Sequence, residues 1–582
     1  MLVPELETEP DAVARQRMDQ GNEFEEALLE RFSEGEGDHL VIGGMSWDEE
    51  IETTIAAMDG GLLFIWNGSL PLDEAGRRSG KPDLLVREGD GYLPVDVKHH
   101  RTLKEEQGGS ALVSKADLPN LAAATDLEGF VLAPNKNDTL QLAHYRRMLD
   151  ACGFGSDSSL GGIIGKEGLV VWYDLDEPRF TTKSTSGKRK TKKRSPMEVY
   201  DHEFGFRLDV AAAARAHKEN SSVELLVEPV RVSECGACGF NEVCSPLLEA
   251  GFGSTSLLPR VGYRQWLQLK EAGLLDRQQV ADLSYPTAKL VSQRVDVPKV
   301  LNLAATSDSA APVAELIPRA KKQIETLLNA GIVAVSDVLT LDQETAALPG
   351  FVAEAILNAR AALGSEPVYR RLEADGDVPR ADIEVDIDME NVLEGVYLWG
   401  ALLTHRSGEI GISEGYHPFA TFDQVDEESE IEVLLGMWHW LSDVRQQTTA
   451  QGLTFKAFVW HEQAENTQLR RIVKSSPAEF REEIDSLIAS DEWVDLKRVF
   501  DLSWITGGSS SLKVIAPFAD FDWEVEDAGG AMSMVKYDKA VDGDQDAETW
   551  LLDYNRGDVE ATAAIREWLH EHGASWPTVN TR

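Results

Sequence analysis

Between Asp382 and Glu390 an acidic side chain occupies every second position (Asp382, Glu384, Asp386, Asp388, Glu390), with Ile383, Val385, Ile387 and Met389 between them. A period of two is that of an extended strand, so the carboxylates share one face and the apolar side chains the other. So many acids in one row need a metal or solvent against them. The apolar run Gly395-Val396-Tyr397-Leu398-Trp399-Gly400 follows as a second strand. Mixed helical and strand patterns then continue to the end of the chain, which predicts an α/β domain over residues 379–582.

A chain of 582 residues with 42% hydrophobic content exceeds what one core organises, and about three or four domains are expected. No run approaches the roughly 20 apolar residues that cross a bilayer. The opening MLVPELETEPDAVARQRMDQ is acidic and polar where a secretory signal is basic and then apolar, so the expected setting is the cytoplasm, with no membrane partner. A formal net charge of −44 excludes a protein that coats DNA through its average surface. Local basic patches, bound cations and backbone N–H groups remain as ways to hold a polynucleotide. No G-x-x-x-x-G-K-[ST] loop is present, so no nucleotide-driven motor is expected.

Residues 1–150 alternate helical patterns with short apolar or β-branched runs and read as an α/β domain around a central sheet. In GKPDLLVREGDGYLPVDVKHHR a strand beginning at Asp83 turns at Gly89-Asp90-Gly91 into a second strand carrying Asp96-Val97-Lys98. Alternation puts Asp96 and Lys98 side by side with Val97 behind them. Two carboxylates and an ammonium so placed suit phosphodiester hydrolysis: Asp83 and Asp96 hold a divalent cation, and Lys98 orients water or neutralises developing charge.

Gln141 and Tyr145 stand one helical turn apart in QLAHYRRML, and Gly21 and Glu25 open the helix GNEFEEALLERF. The ordered series G-x-x-x-E, P-D, D-x-K and Q-x-x-x-Y resembles the RecB-like nucleases. That resemblance implies a restriction-endonuclease-like PD-(D/E)xK domain over residues 1–210. It implies Asp83, Asp96 and Lys98 as catalytic and Glu25, Asp83 and Asp96 as ligands of Mg2+ or Mn2+. Glu25 stands where the family often has a histidine, and Gln141 and Tyr145 support the site and the DNA backbone.

Three of the four cysteines crowd into Cys235-x2-Cys238-x5-Cys244, within residues 211–258. Thiolates at that spacing bind an iron–sulfur cluster or zinc in a reducing compartment and do not form a disulfide framework. A subset of RecB-like nucleases resembles this run. Their cysteines join one ahead of the nuclease motifs to hold a [4Fe-4S] cluster that closes the domain. The leading cysteine is missing here. Cys152 substitutes for it, or the chain starts downstream of an original cysteine, or the site uses three protein ligands; Zn2+ is the alternative to the cluster.

Residues 259–378 read as helical, with similar units WLQLKEAGLLDRQQVADLS and TLLNAGIVAVSDVLTLDQETAALPGFVAEAILNARAAL. The second resembles helix-hairpin-helix modules, which present backbone N–H groups to a phosphate. Leu348-Pro349-Gly350 fits the hairpin, while Phe351-Val352 stands where a second glycine is usual; a structural spacer is the other reading. The stretch Thr181–Ser195 carries seven Lys/Arg and reads as a flexible loop, either a solvated linker or a contact to the DNA backbone.

Toward the end come Glu465 in WHEQAENTQL, Asp495 in EWVDLKRV, and Tyr554 one helical turn before Asp558 in LLDYNRGDVEATAAIREWL. A strand D-x-E, a middle acid and a late Y-x-x-x-D resemble the DEDD exonucleases of the RNase H-like superfamily. The resemblance implies Asp388 and Glu390 as the strand pair, Glu465 as the middle acid where Asp is usual, Asp558 as the late acid and Tyr554 as the residue that positions water. Asp388, Glu390 and Asp558 are then the metal ligands; Glu384 with Asp386 satisfies the same alternation and is the alternative register.

The whole order resembles a bacterial family of RecB-like nucleases with a C-terminal RNase H-like domain. It implies a multidomain α/β, metal-dependent exonuclease acting on DNA, at single strands or ends, in repair or defence, with a separate helicase or other protein opening the duplex. The alternatives are a non-catalytic nucleic-acid-binding scaffold with relic nuclease folds, and an RNase working through the C-terminal domain.

Overall fold

The computed structural model describes residues 12–33, 38–183, 191–372, 374, 376–392, 395–526 and 529–579. From Ala14 onward the chain divides between Glu228 and Pro229 into two compact units, so the cysteine segment groups with the second.

The first unit is built on an eight-stranded sheet. Its strands are β1 (His39–Val41), β2 (Phe64–Trp66), β3 (Leu84–Glu88), β4 (Gly91–Val97), β5 (Leu103–Lys115), β6 (Thr125–Leu132), β7 (Leu160–Ile164) and β8 (Leu169–Asp174). They lie in the order β1-β2-β3-β4-β7-β8-β5-β6, with β1–β2 and β4–β7 parallel. Helices α1 (Ala12–Ser33), α2 (Trp47–Asp59), α3 (Lys136–Cys152) and α4 (Pro196–Glu219) accompany it. β4 is buried along its whole length because the sheet is covered on both faces, which is why it reads as a near-continuous apolar run. Leu84, Val86, Leu93 and Val95 pack with Leu28 and Phe32 of α1, while Leu85 and Tyr92 pack with Met58 of α2 and Met148 of α3.

Two expectations change here. Helix α1 already runs from Ala12, through the good helix formers of AVARQRMDQ, so Gly21 and Glu25 lie within the helix and not at its start. The flanks of the basic stretch are not a flexible loop: β9 (Phe180–Lys183) and β10 (Thr191–Arg194) pair as an antiparallel hairpin, and Ser195 caps α4. Residues 184–190 of that stretch lie outside the described residues, as do residues 1–11 of the polar N-terminus.

The second unit begins with the cysteine segment and α5 (Asn241–Glu249), followed by an array of short helices: α6 (Tyr263–Glu271), α7 (Arg277–Ala281), α8 (Tyr285–Ser292), α9 (Val297–Ala304), α10 (Lys321–Asn329), α11 (Val335–Val338), α12 (Gln343–Ala346) and α13 (Val352–Ala362). The paired units are a true repeat. Helices α6, α7 and α8 recur as α10, α11 and α12, and the left-handed glycines that end the first helix of each, Gly273 and Gly331, are 58 residues apart. A Cβ at Gly350 would lie 3.1 Å from Ser292 Cα. The glycine of the expected phosphate hairpin thus lets the chain pack against the end of α8, which supports the structural-spacer reading.

After β11 (Tyr369–Arg370) comes a five-stranded sheet of β12 (Ile383–Asn391), β13 (Val396–His405), β14 (Gly415–Ala420), β15 (Phe455–Val459) and β16 (Trp493–Asp495), ordered β14-β13-β12-β15-β16. The β14-β13-β12 ladder is antiparallel, and β12-β15-β16 is parallel. Helices α14 (Glu427–Ala450), α15 (Gln463–Ile472) and α16 (Ala478–Ile488) cover one face, where Ile383, Val385 and Ile387 meet Leu434, Leu441 and Leu469. Helix α17 (Leu496–Ser503) leads to β17 (Trp504–Ile505), which pairs with β11, and then come α18 (Leu512–Ile515), α19 (Gly530–Val541) and α20 (Gln545–His572). No helix among the described residues is long and apolar enough to cross a membrane.

Candidate active sites

Helix α20 lies along the acidic face of β12. Eight helical residues rise about 12 Å and four strand residues about 13 Å, so Arg566 and Asp558 on the helix keep pace with Asp386 and Glu390 on the strand. The carboxylate row therefore meets two different surroundings. Arg566, buried in the interior, donates to Glu384 at 3.1 Å and pairs with Asp386, and Arg380 donates to Glu384 at 2.8 Å. Asp382 precedes the strand and accepts from the backbone and hydroxyl of Thr454. These three acids are satisfied by protein groups, which corrects the expectation that the whole row needs metal or solvent and removes Glu384/Asp386 as the alternative register.

The remaining pair faces no arginine. Carboxylate oxygens of Asp388, Glu390 and Asp558 all lie within 4.8 Å of one another. Burial and the neighbouring Asp558 push Glu390 up to about 8 and hold Asp388 well above the usual carboxylate range. Burial likewise raises Asp558, against the opposing pull of the Lys513 ammonium. An all-oxygen donor set whose charges are crowded and desolvated suits a hard divalent cation such as Mg2+ or Mn2+. Tyr554 hydrogen-bonds Asp558 from one turn earlier and stacks on Trp550.

Glu465, at the first turn of α15, is buried, with Oε2 lacking a hydrogen-bond partner among the described residues. Burial and Asp495 push it up to about 8, and its charge bears on Asp388, yet it stands outside the tight three-carboxylate group. Asp495 accepts from the backbone N–H groups of His461 and Arg498 and caps α17.

Several residues that sequence reading missed complete this site. Asn555 donates to Asp388 at 2.9 Å, and Trp523 Nε1 donates to Asp558 at 2.8 Å. Lys513 places its ammonium 4.3 Å from the ring centroid of Tyr554 and 4.8 Å from that of Trp523, and burial lowers its pKa although three carboxylates pull the other way. Asn555, between Tyr554 and Asp558 in the Y-x-x-x-D motif, could have been suspected. Lys513 and Trp523 sit in a segment with no periodic signal of its own.

In the first unit, Asp83 precedes β3 and Asp96 sits near the end of β4. Asp83 accepts the Val97 N–H at 2.7 Å and shares a hydrogen bond with the Asp96 carboxyl, and burial followed by the Asp96 charge pushes it up to about 7. Asp96 is fully buried, forms an ion pair with Lys98 and accepts from Gln141 at 3.2 Å; Gln141 in turn donates to the Tyr145 hydroxyl at 3.0 Å. Burial opposes the charge on Lys98, but Asp96 and Asp83 outweigh it and raise its pKa. Glu25 faces Asp83 and Lys98 from α1, its pKa raised by burial and then by Asp83, and it hydrogen-bonds Asn67.

These residues converge, but Glu25, Asp83 and Asp96 do not close to the spacing seen around Asp388, the one such group among the described residues. The missed members are Asp138 and His100. They pair at 3.0 Å, and Asp138 bears electrostatically on Asp96 and Lys98. Asp138 stands on α3 three residues before Gln141, the spacing that could have flagged it.

The cysteines lie in one tight turn: the Cys238 N–H donates to the Cys235 carbonyl at 3.3 Å, and Cys244 follows on α5. Burial and the two other thiols raise the pKa of Cys244, so the three sulfurs sense one another. They supply three thiolates of a four-ligand site. Cys152 ends α3 in the other unit, donating to the Leu149 carbonyl at 3.4 Å.

The family model RNase_H_2, of the RNase_H superfamily, matches residues 410–570. The matched span holds Glu465, Lys513, Trp523, Tyr554, Asn555 and Asp558, and the C-terminal domain is RNase H-like. No curated protein and no solved structure matches the chain.

Proposed function

We propose that this protein is a metal-dependent nuclease that hydrolyses DNA phosphodiester bonds, at single strands or ends, through its RNase H-like domain. The observation that carries the reading is the convergence of Asp388, Glu390 and Asp558 within 4.8 Å on a sheet whose remaining acids are already paired. Bound Mg2+ or Mn2+ would activate water and neutralise charge on the phosphate. The three carboxylates hold the cations, and Glu465 reaches toward Asp388 as the middle acid. The Tyr554 hydroxyl, tied to Asp558, orients the attacking water, while the Lys513 ammonium faces the negative charge that develops on the phosphate.

A second reading concerns the first unit, where a PD-(D/E)xK site would use Asp83, Asp96 and Lys98, with Glu25 as a further ligand and Gln141 and Tyr145 as support. The contact of Asp83 with Asp96 beside Lys98 favours it. In this reading Cys235, Cys238 and Cys244 bind a [4Fe-4S] cluster, or zinc, with Cys152 or another group as fourth ligand. Absorbance near 400 nm in the purified protein separates the two. The setting is cytoplasmic DNA repair or defence, with a separate helicase supplying opened strands.

Purified protein is incubated with Mg2+ or Mn2+ and labelled single- and double-stranded DNA and RNA, alongside Asp388→Asn and Asp96→Asn. Loss of cutting in Asp388→Asn supports the main reading, and partial loss in Asp96→Asn supports the second. Cutting of RNA alone reassigns the substrate. Binding without any cutting by the wild type makes the chain a scaffold.

A further inference from the structure

Apart from the carboxylate cluster, the second unit has a cleft of about 490 Å³ where the helical array meets the RNase H-like domain. Four cationic side chains line it: Arg260 from the array, Arg371 beyond β11, and Lys497 and Arg498 from the first turn of α17. Three acids, Glu354, Asp495 and Asp501, share the wall, which leaves the cleft net positive in a chain of net charge −44.

The acids do not match the cations one to one. Glu354 takes Arg371 in a two-pronged contact at 2.7 and 3.0 Å. Asp501 is shared between Lys497 at 2.6 Å and Arg260 at 3.5 Å, and Asp495 is occupied by backbone N–H groups. Arg498 is exposed and has no side-chain partner among the described residues. Leu502, 65% exposed, adds an apolar surface at the cleft wall against which a sugar or base can lie.

Sheet register locates the cleft relative to the carboxylates. Asp386 pairs with Phe458 and Phe458 with Val494, all in parallel, so Asp388, Trp460 and Leu496 lie level at the same end of the sheet. His461 and Asp495, which line the cleft, therefore flank the carboxylates two strands away, on the order of 10 Å. Over that span a nucleic-acid strand presents its next few phosphates. Asp495 also bears on Glu465, so cleft and cluster share a wall.

We propose that this cleft is a backbone subsite, in which Arg260, Lys497 and Arg498 hold phosphates of the bound strand a few nucleotides from the one that is cut. The assignment rests on the nuclease reading of the carboxylate cluster. It gives the helical array a task its own hairpin does not carry: placing an arginine over the exit of the RNase H-like site.

The test uses the full chain with Arg260→Glu and Arg498→Glu together, and with the milder Arg260→Gln and Arg498→Gln as a guard against misfolding. Binding of a labelled single-stranded oligonucleotide is measured by anisotropy in Ca2+, and cutting in Mg2+. Both Kd and KM should rise about tenfold with kcat little changed. The slope of log affinity against log salt should become shallower by about 1.4, since each phosphate that no longer meets a cation removes about 0.7. Unaltered affinity and salt slope overturn the subsite, as does a fall in melting temperature with no change in affinity, which makes the cleft a structural joint. Anisotropy decides this even if the wild type cuts nothing, whereas failure of Asp388→Asn to reduce cutting overturns the nuclease reading and leaves the binding result standing.

Discussion

Asn555 donates its side-chain N–H to Asp388 at 2.9 Å from the helix that supplies Asp558 one turn later. The amide is fully buried, and its oxygen accepts from Tyr416 at 2.8 Å. Its space exists because Gly400 stands opposite Asp388 on β13: a Cβ there would sit 1.7 Å from Asn555 Oδ1. One asparagine, one tyrosine and one absent side chain thus fix the orientation of the first carboxylate.

Replacing Asn555 by Leu keeps the volume and removes the donor. Outer partners of metal-ligating groups typically contribute about 10- to 100-fold in metal affinity or activity. Mn2+ binding followed by calorimetry should weaken by that order, with Gly400→Ala giving a similar loss by displacing the amide.

Lys513→Met should lower kcat by about 100-fold, the scale of one lost charge-stabilising group, with a smaller change in KM. Lys513→Arg should recover part of the loss, since a cation can still sit over Tyr554 and Trp523. Equal kcat in the methionine variant and the wild type removes Lys513 from the site.

Arg566→Met leaves Glu384 and Asp386 buried without their partner. Breaking a buried pair from one side costs about 3–5 kcal/mol, so the denaturant midpoint of the C-terminal domain, followed by tryptophan fluorescence, should fall sharply. Adding Glu384→Gln and Asp386→Asn should restore much of it, because no unpaired charge then remains.

Stability of the metal-free protein should depend on pH in an unusual sense. Glu390 and Glu465 rise to about 8 and Asp83 to about 7, all through burial first. Each folded group then binds more protons than its unfolded counterpart between the ordinary carboxylate range and its raised value. Stability is therefore fully present at low pH and lost as pH rises through about 7 to 8. The melting temperature should fall over that window without divalent cations. Added Mg2+ should reverse the fall, and its affinity should rise with pH as protons are displaced.

Much of this was legible along the chain. Alternation marked β12, and hairpin chemistry at Gly89-Asp90-Gly91 marked β3 and β4, because a strand's face and a tight turn depend on residues a few positions apart. The Q-x-x-x-Y and Y-x-x-x-D pairs were readable for the same reason on helices. The doubling of the helical array showed in its glycine-centred units.

What tertiary structure alone decided is which acids remain unpaired. Arg566 lies 180 residues from Asp386, and no local pattern in one segment reports a partner brought in by helix packing. Lys513, Trp523 and Gly400 are set around the carboxylates by the same long-range packing, and the cationic cleft exists only because the array and the sheet edge meet. Periodicity encodes the face a side chain points to; the charge, burial and neighbours found on that face are properties of the folded chain.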